Sequence, residues 1–409
     1  MPKLLQINTT LNYGSTGRIA EQIALLAQSK GWDCYIAHGA RYINKSAIQS
    51  IQIGTKWGNY FHAFIGEFLG LHGLGSILST FLFLKKIDKL KPDVIHLHNI
   101  HGYYLNYPLL FRYLSSGKTP VVWTFHDCWP FTGHCVHFED ASCTRWKEGC
   151  YAPCPCKGDY PKSLLFDNSE RNYRLKKEYF TSVRYLHLVT VSKWLGELTK
   201  QSFLGDFPLR IIHNGINLNI FYQHKGTSEL LVRYGLKDRH FILGVANVWE
   251  KHKGLNDFFH LRNILSLDDA IVIIGLSRQQ RNNLPKGVIG IERTESQEEL
   301  AVWYSAADVF VNPTYNDTLP TTNIEAIACG TPVVTYKTGG SPETIDENTG
   351  VVVEKGDIKG LANAIKMIKK NGKDYYSQVC RQRALRFFNK EERFVDYIKL
   401  YDKILSEVE

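Results

Sequence analysis

The sequence has few of the residues that mark disordered or fibrous proteins. Glycine (32) and proline (14) are too few among 409 residues for a collagenous or low-complexity chain. Hydrophobic residues make up 44% and charged residues 22%, which is typical of a globular protein and excludes disorder over most of the length. At roughly 150 residues per domain, the length predicts two or three domains.

The sequence also lacks a recognisable targeting segment and a long, uninterrupted apolar run. The beginning, MPKLLQINTT, reads as a strand and not as a charged stretch followed by an apolar signal core. The most apolar stretch, residues 61–84, includes His62, Glu67 and His72, which a membrane-spanning helix would bury at high cost. This stretch favours a helix on a membrane surface or, equally, a helix of the core. We expect a cytoplasmic protein, with the inner face of the membrane as an alternative location.

Acidic residues are fewer than basic ones, 40 against 49, so the net charge is +9. Such an excess favours anionic partners, such as nucleotides, phosphorylated lipids, membrane surfaces or nucleic acid, without selecting among them. The sequence contains no cluster of basic residues with interleaved aromatics, so we do not expect nucleic-acid binding. Lysines do gather between Lys85 and Lys91, where they indicate either a solvated helix face or peripheral contact with anionic lipid.

Strand-like apolar runs alternate with helical patterns through most of the chain. In the first half these runs are residues 3–8, 34–39, 93–98, 120–125 and 185–192. In the second half they are residues 241–247, 270–275, 308–313 and 331–336. This alternation is typical of parallel sheets with functional loops at the strand ends. We therefore predict an α/β fold of two doubly wound halves, with a boundary near Leu204 to Arg210.

The sequence pattern after Asp374 is helical. It carries an apolar stripe at spacings of three and four residues, formed by Phe394, Tyr397, Ile398, Tyr401 and Ile404. A stripe of this kind lies on one face of a helix and has to pack on another element.

Cysteine is concentrated where the alternation stops, in residues 127–161. Six of the nine cysteines lie between Cys128 and Cys156. In a reducing compartment, crowded thiols indicate metal or redox chemistry more than disulfides. The spacing of four of them fits a structural zinc site formed by Cys135, Cys143, Cys150 and Cys154. A disulfide pairing and free thiols remain alternatives.

Three histidines, His96, His98 and His101, alternate along and beyond the strand of residues 93–98. Their spacing could suggest a metal trio. We interpret them instead as hydrogen-bonded histidines of a core or cleft.

A glycine-containing turn follows the first strand. Residues 12–18, NYGSTGR, contain Gly14, Gly17 and Arg18 just before a helical pattern. Glycines let backbone amides approach a ligand, and a helix N-terminus favours anions, so this turn is a candidate phosphate-binding loop. A plain tight turn is the alternative.

A second turn, between the strand that begins at Asp308 and the next helix, carries more chemistry. Asp317 lies in the turn and Glu325 lies eight residues later, in the first turns of the helix. The backbone amides at the helix start belong to Thr321, Thr322 and Asn323, and we expect them to be available to a phosphate. Carboxylates can bind sugar hydroxyls while amides bind phosphate, so the segment fits a sugar nucleotide. Alternatively, Glu325 only complements the helix dipole.

Residues 308–343 resemble the signature of the family 4 retaining glycosyltransferases. The matching elements are an acidic residue (Asp317), seven others, Glu325, the run ACGTPVV, and the later sequence GGSPE of residues 339–343. The segments GSTGR (14–18), RIIHNGIN (210–217) and WEKHKG (249–254) are similar to other motifs of the family. The motifs follow one another along the chain in the order that the family has. Residues 94–106 and 124–135 resemble a bacterial exopolysaccharide subgroup of the colanic-acid type.

The resemblance implies a GT-B architecture, in which two Rossmann-like doubly wound domains face a cleft and a C-terminal helix crosses back. The expected N-terminal, acceptor-side domain is residues 1–206 with the cysteine-rich insert 127–161. The C-terminal helix, about residues 385–409, joins this domain. The expected nucleotide-sugar-binding domain is residues 207–384.

The resemblance also implies residue roles. Glu325 would bind the ribose of a nucleoside-diphosphate sugar, Asp317 the hydroxyls of the transferred sugar, and Lys253 the diphosphate. His126 would contact the donor sugar near its anomeric carbon, and Gly14 with its neighbours would approach the diphosphate or the acceptor. The implied acceptor is a glycan or a lipid-linked glycan, and the implied reaction retains the anomeric configuration without a catalytic metal.

The chain departs from the family pattern at three positions. The family usually has Glu at Asp317 and Gly at Pro320, and it usually has an Arg about five residues before Lys253. Arg18, Lys251 and Arg293 are the alternatives for that missing charge. A nucleotide-sugar epimerase of the same fold and a non-catalytic nucleotide or glycan binder remain alternative functions.

Overall fold

The computed structural model of the protein describes residues 1–407. It divides into two compact units. The first unit comprises Met1–Ile212 and the chain from Phe394 on, and the second comprises His213–Arg393. Each unit contains one parallel β-sheet, with helices between most successive strands. The predicted pair of doubly wound α/β domains is therefore confirmed.

The first unit contains a seven-stranded sheet with the strand order β3-β2-β1-β4-β5-β6-β7. The strands are β1 Lys3–Asn8, β2 Asp33–Gly39, β3 Gln49–Ile53, β4 Val94–Leu97, β5 Val121–Phe125, β6 Leu186–Thr190 and β7 Leu209–Ile211. The helices are α1 Gly14–Ser29, α2 Lys56–Leu69, α3 Ile77–Leu90, α4 Tyr107–Ser116, α5 Ser169–Phe180 and α6 Lys193–Lys200. Since β7 pairs with β6, this unit continues to Ile212.

The second unit contains a six-stranded sheet with the strand order β10-β9-β8-β11-β12-β13. The strands are β8 Phe241–Val245, β9 Ala270–Ile274, β10 Val288–Ile291, β11 Val309–Asn312, β12 Val333–Tyr336 and β13 Gly350–Val353. The helices are α7 Ser228–Arg233, α8 Leu255–Ile264, α9 Arg278–Asn282, α10 Gln297–Ala306, α11 Thr321–Ala328, α12 Ile358–Asn371 and α13 Lys373–Phe387.

The last helix, α14 (Lys390–Ser406), returns to the first unit. Its predicted apolar stripe is buried in the core that also contains α1 and the ends of β1 and β4. Tyr401 packs against Trp32, and its hydroxyl bonds the Nδ1 atom of His96 at 2.6 Å. The stripe thus packs on another element, as its spacing predicts. Residues 408 and 409 of the predicted C-terminal helix lie outside the described residues.

The apolar stretch of residues 61–84 forms most of α2 and the first half of α3. Two of the polar residues that argued against a membrane span, His62 and His72, are buried against the protein. Much of the apolar surface of these helices faces outward instead. Within residues 1–407, no helix is long and apolar enough to cross a membrane.

The cysteine-rich insert is irregular, as the break in the alternation predicts. Its short helical turns are Trp129–Phe131 and Arg145–Lys147. Phe131, Phe138 and Trp146 pack against one another, with ring centroids 5.2 Å apart for both contacts of Trp146. Aromatic packing therefore supplies a core for this segment.

Candidate functional site

The second unit brings Lys253 and Asp317 together at the point where its strand order reverses. The strands β8 and β11 are neighbours, although β9 and β10 lie between them in the sequence. Lys253 follows β8 and Asp317 follows β11, so both come from the carboxyl ends of these strands. In open α/β sheets this crevice is the usual place for a ligand.

The side chains of Lys253 and Asp317 form an ion pair. The Lys253 Nζ atom lies 2.8 Å from the Asp317 Oδ2 atom, and the two side chains are 27% and 20% exposed. The Asp317 Oδ1 atom accepts a hydrogen bond from the amide of Leu319 at 3.3 Å. The predicted diphosphate cation and the predicted sugar-binding carboxylate therefore share one site and balance each other's charge.

Glycines at two positions let the backbone around this pair pack tightly. Gly254 has φ +75°, and a Cβ atom there would lie 2.1 Å from the Pro313 carbonyl oxygen. Gly339 has φ +51°, and a Cβ atom there would lie 1.7 Å from the Asp317 carbonyl oxygen. Only glycine fits such close approaches. The glycine at position 339 is thus explained by its packing against the Asp317 loop.

Helix α11 begins beside this pair and differs in one respect from the sequence prediction. Pro320 stands at its cap position and has no N–H, while Thr321 and Thr322 are half-buried in its first turn. The amide of Asn323, however, donates to the Pro320 carbonyl at 3.2 Å. The Asn323 side chain is fully buried and bonds Asn312 at 2.8 Å. The expectation that the Asn323 amide is available is therefore wrong, because the tightened first turn already uses it.

Glu325 lies one turn further along α11 and is held in place by a tyrosine. The hydroxyl of Tyr304, a fully buried residue of α10, donates to the Glu325 Oε2 atom at 3.0 Å. Burial and the neighbouring Glu325 carboxylate raise the pKa of Tyr304, so this hydroxyl stays protonated and donates. The bond fixes the direction of a half-buried carboxylate, which is more than complementing a helix dipole requires.

The structure also shows what lies where the family usually has an Arg, about five residues before Lys253. Trp249, which stands in that region, is buried, and its indole N–H donates to the Ile274 carbonyl at 2.9 Å. Lys251 is exposed in the same short helical turn as Lys253, whereas Arg293 follows β10, two strands from β8. Arg18 is exposed on α1 of the first unit. Of the two alternatives in the second unit, Lys251 is therefore nearer than Arg293 to Lys253 along the sheet, and it can supply a second positive charge there.

In the first unit the strand order reverses between β1 and β4, and the glycine turn follows β1. Gly14 begins α1 with φ +66°, and a Cβ atom there would meet open space. At Gly17 a Cβ atom would lie 2.6 Å from the Thr10 hydroxyl oxygen. Gly17 is therefore needed for the turn to pack on its helix, while Gly14 leaves room for a ligand.

His126, at the end of β5, is held by a chain of hydrogen bonds that fixes its protonation. The Gln6 amide N–H donates to the Ala20 carbonyl at 2.8 Å, so the Gln6 oxygen faces the His98 Nε2 atom at 2.7 Å and accepts from it. Burial lowers the pKa of His98 well below its usual value, so its ring is neutral and Nδ1 is an acceptor. That atom lies 3.1 Å from the His126 Nε2 atom, which must donate.

The chain of bonds leaves Nδ1 as the acceptor nitrogen of His126. Burial lowers the pKa of His126 to about 4, so the ring stays neutral near pH 7. Sequence reasoning did not find Gln6, and it interpreted His98 only as a core or cleft histidine. The available signal was that each residue lies at or near the end of a strand next to the reversal point.

The residue after His126 anchors the insert. The Asp127 carboxylate bonds the His101 Nε2 atom and the amide of Trp129, each at 2.9 Å. Burial alone would raise the pKa of Asp127, but the His101 imidazole and these hydrogen bonds lower it. Asp127 therefore stays ionised and fixes the backbone next to His126.

The four predicted zinc ligands line one small cavity. Cys135, Cys143, Cys150 and Cys154 surround a volume of about 10 Å³, which is near the minimum for one water molecule or ion. All nine cysteines of the described chain are free thiols. Within residues 1–407, however, no three His, Cys, Asp or Glu side chains are arranged to hold a metal ion.

The thiols bond to other groups around this cavity. Cys150 accepts the amide of Gly133 at 3.2 Å, and Cys154 and Cys156 bond to each other. Burial raises the pKa of Cys150 to about 12, so this thiol is protonated near pH 7. The thiols are not arranged as the four ligands of a zinc ion, and the zinc site stays a prediction. Elemental analysis tests it: about one zinc per chain would support it, and freely titrating thiols without zinc would remove it.

Comparison with known proteins places these units in a family. Residues 54–220 match the model described as Glycosyltransferase Family 4, and residues 239–371 match the model described as Glycosyl transferases group 1. The putative colanic acid biosynthesis glycosyl transferase WcaC of Escherichia coli (strain K12) is 24% identical over 286 residues, 67% of each chain. A D-inositol 3-phosphate glycosyltransferase of Streptomyces bingchenggensis is 30% identical over 163 residues, covering 35% of this chain and 36% of that protein.

Solved structures share the fold over almost the whole chain. Sucrose-phosphate synthase from Thermosynechococcus elongatus has a TM-score of 0.75 and 18% identity and covers 100% of both chains. Anabaena Alr3699/HepE, solved in complex with UDP-glucose, has a TM-score of 0.65 and 13% identity over 99% of both chains. The two family models together cover most of both units. The chain therefore belongs to the GT-B glycosyltransferases described by the family 4 and group 1 models.

Proposed function

We propose that this glycosyltransferase moves a hexosyl-type sugar, with retention of configuration, from a nucleoside-diphosphate donor to a glycan or lipid-linked glycan in surface polysaccharide synthesis. One observation carries the proposal: the Lys253–Asp317 pair at the strand reversal of the second unit, beside the helix that bears Glu325. The similarity to WcaC supports a polysaccharide product, and the HepE complex with UDP-glucose supports a nucleotide-sugar donor. The nucleotide base stays open, because a similar mannosyltransferase of Mycolicibacterium smegmatis is GDP-mannose-dependent.

In the proposed donor complex the ion pair opens. The diphosphate carries more negative charge than one carboxylate, so it attracts the Lys253 ammonium, and Asp317 is then available to accept hydrogen bonds from sugar hydroxyls. Glu325, oriented by Tyr304, accepts from the ribose. His126 contacts the sugar through its acceptor nitrogen, which suits a hydroxyl donor.

The proposed chemistry depends on positioning and charge. The acceptor hydroxyl attacks the anomeric carbon on the face from which the diphosphate leaves, and the departing phosphate oxygen takes the hydroxyl proton. Lys253 and the first amides of α11 stabilise the negative charge that develops on the leaving group. We propose that these groups supply the stabilisation without a divalent metal.

The test incubates the protein with a panel of nucleotide sugars and measures free nucleoside diphosphate. Slow release supports a transferase, because water replaces the missing acceptor. Formation of an epimer without release would support the epimerase alternative, and tight binding without turnover would support a binding protein. With an accepted sugar, the NMR coupling constant of the anomeric proton in the product reports retention or inversion.

A further inference from the structure

Helix α2 presents its aromatic face to solvent. Its inner face buries small or polar side chains, Asn59, His62 and Gly66. Trp57 is 84% exposed, and three more exposed aromatic side chains share its face at helical spacing: Tyr60, Phe61 and Phe64. An ordinary surface helix has the opposite arrangement, with its apolar stripe toward the core.

Helix α3 and one loop extend the same apolar character. The inner face of α3 buries Thr80, Phe83 and Ile87. Its exposed apolar side chains are Ile77, Leu78, Phe81 and Leu82, and those of the loop are Leu164, Leu165 and Phe166. Large exposed apolar areas of this kind mark interaction sites on folded proteins.

Hydrogen bonds join the two helices and the loop into one surface. The His62 ring accepts the Gly75 amide at 3.0 Å and bonds the Ser76 hydroxyl at 2.9 Å, which fixes the start of α3 beside α2. The amides of Leu164 and Leu165 donate to the Glu67 and Phe68 carbonyls at the end of α2. The apolar side chains of the three segments therefore have a fixed arrangement. We call them the apolar face.

The apolar face is bordered by positive charge. Exposed lysines on or flanking the two helices are Lys56, Lys85, Lys86, Lys89 and Lys91, and the exposed acid among them is Asp88. The Lys85 ammonium lies 4.7 Å from the centre of the Phe81 ring, so charge and apolar surface are in direct contact. Aromatic side chains next to lysines suit the headgroup region of a bilayer that contains anionic lipids.

We propose that the apolar face docks on the surface of an anionic lipid bilayer. A second copy of the chain is a poorer occupant, because a twofold contact through this face would bring two sets of lysines together. Anionic headgroups instead balance them, and the aromatic rings enter the boundary between headgroups and acyl chains. This inference goes beyond sugar transfer and does not rest on the donor or the acceptor proposed above.

The experiment is co-sedimentation of the full chain with vesicles of phosphatidylcholine alone or of phosphatidylcholine mixed equally with phosphatidylglycerol. An apolar variant carries Trp57→Ser, Phe61→Ser and Phe64→Ser. A charge variant carries Lys85→Gln, Lys86→Gln and Lys89→Gln. Two matched controls change exposed positions of the second unit. The apolar control carries Val232→Ser, Leu267→Ser and Tyr375→Ser. The charge control carries Lys359→Gln, Lys366→Gln and Lys370→Gln.

We expect binding to the anionic vesicles, a large loss in the apolar variant, and no change in either control. The charge variant should lose on the order of 100-fold in affinity, from about fivefold per lysine near an anionic surface. Failure to bind, or equal binding by all variants, would overturn the proposal. So would a dimer that the apolar variant dissociates in the absence of vesicle binding. If the apolar variant does not fold, which its circular dichroism would show, the charge variant still decides.

Discussion

Replacing Asp317 by Asn should lower turnover while tightening the binding of free nucleoside diphosphate. In the free protein, the Asp317 carboxylate holds the Lys253 ammonium at 2.8 Å, and both side chains are partly exposed. A pair of this kind contributes about 0–1 kcal/mol, so the variant should keep almost all of its stability. Its loss frees Lys253 for the diphosphate, and affinity should rise by up to about fivefold, the equivalent of ~1 kcal/mol.

Turnover should respond in the opposite direction. Asp317 is proposed to bind the sugar where geometry and charge change in the transition state. A hydrogen bond to a charged group is worth about 1.5–3 kcal/mol, and each ~1.4 kcal/mol is tenfold, so turnover should fall about 10- to 150-fold. Asp317→Glu keeps the charge and should leave diphosphate affinity close to that of the natural chain.

Two measurements check this reasoning. Calorimetric titration with nucleoside diphosphate gives the affinity, and release of diphosphate from saturating donor gives the turnover. An Asn variant with unchanged turnover and an unchanged donor Michaelis constant would show that this carboxylate does not bind the sugar. Weaker diphosphate binding would show that Asp317 positions Lys253 for the ligand and does not compete with it.

Three further predictions concern other side chains. Glu325→Gln should raise the donor Michaelis constant more than it lowers turnover, because the ribose is bound alike in the ground and transition states. The control Glu298→Gln, in the first turn of α10, should leave both unchanged. Gln6→Leu removes the acceptor of the His98 Nε2 hydrogen bond, so it should alter the ¹⁵N shifts of His126 and lower turnover at constant donor affinity. Gln6→Glu keeps an acceptor oxygen for His98 and should restore most of the lost turnover. Burial lowers the pKa values of His62 and His126 to about 4, so on acidification the unfolded chain takes up protons at these residues before the folded chain does. The free energy of unfolding should therefore fall between pH 6.5 and 4, by up to about 1.4 kcal/mol per pH unit for each of the two histidines. Urea titrations at several pH values measure this fall.

The sequence predicts the central strands of both sheets better than their edges. β1, β5 and β9 are buried along almost their whole length and stand out as apolar runs. The apolar runs predict none of the four edge strands, β3, β7, β10 and β13, and β3 has exposed residues along most of its length. An edge strand has a neighbour on one side only and packs fewer side chains, so its sequence carries a weaker apolar signal.

The site shows a similar division. The spacing of Asp317 and Glu325 along one segment identifies both residues, because a strand, a turn and a helix follow one another in sequence. The partners that orient them do not follow from spacing: Lys253 is 64 residues from Asp317, and Tyr304 is 21 residues from Glu325. Those contacts depend on which strands are neighbours, and the alternation of strands and helices does not specify the strand order.

The chemistry at the two strand reversals differs, and the difference agrees with the roles proposed above for the two units. The second unit presents charged groups there, Lys253, Asp317 and Glu325. The first unit has His126 there, whose ring burial keeps neutral and whose Nδ1 atom is an acceptor, while both ring nitrogens of the buried His98 bond other side chains. Neutral imidazoles gain little from a diphosphate but can bond hydroxyl groups, whereas ammonium and amide groups stabilise phosphate. On these grounds the second unit suits the nucleotide and its diphosphate, and the first suits uncharged sugar.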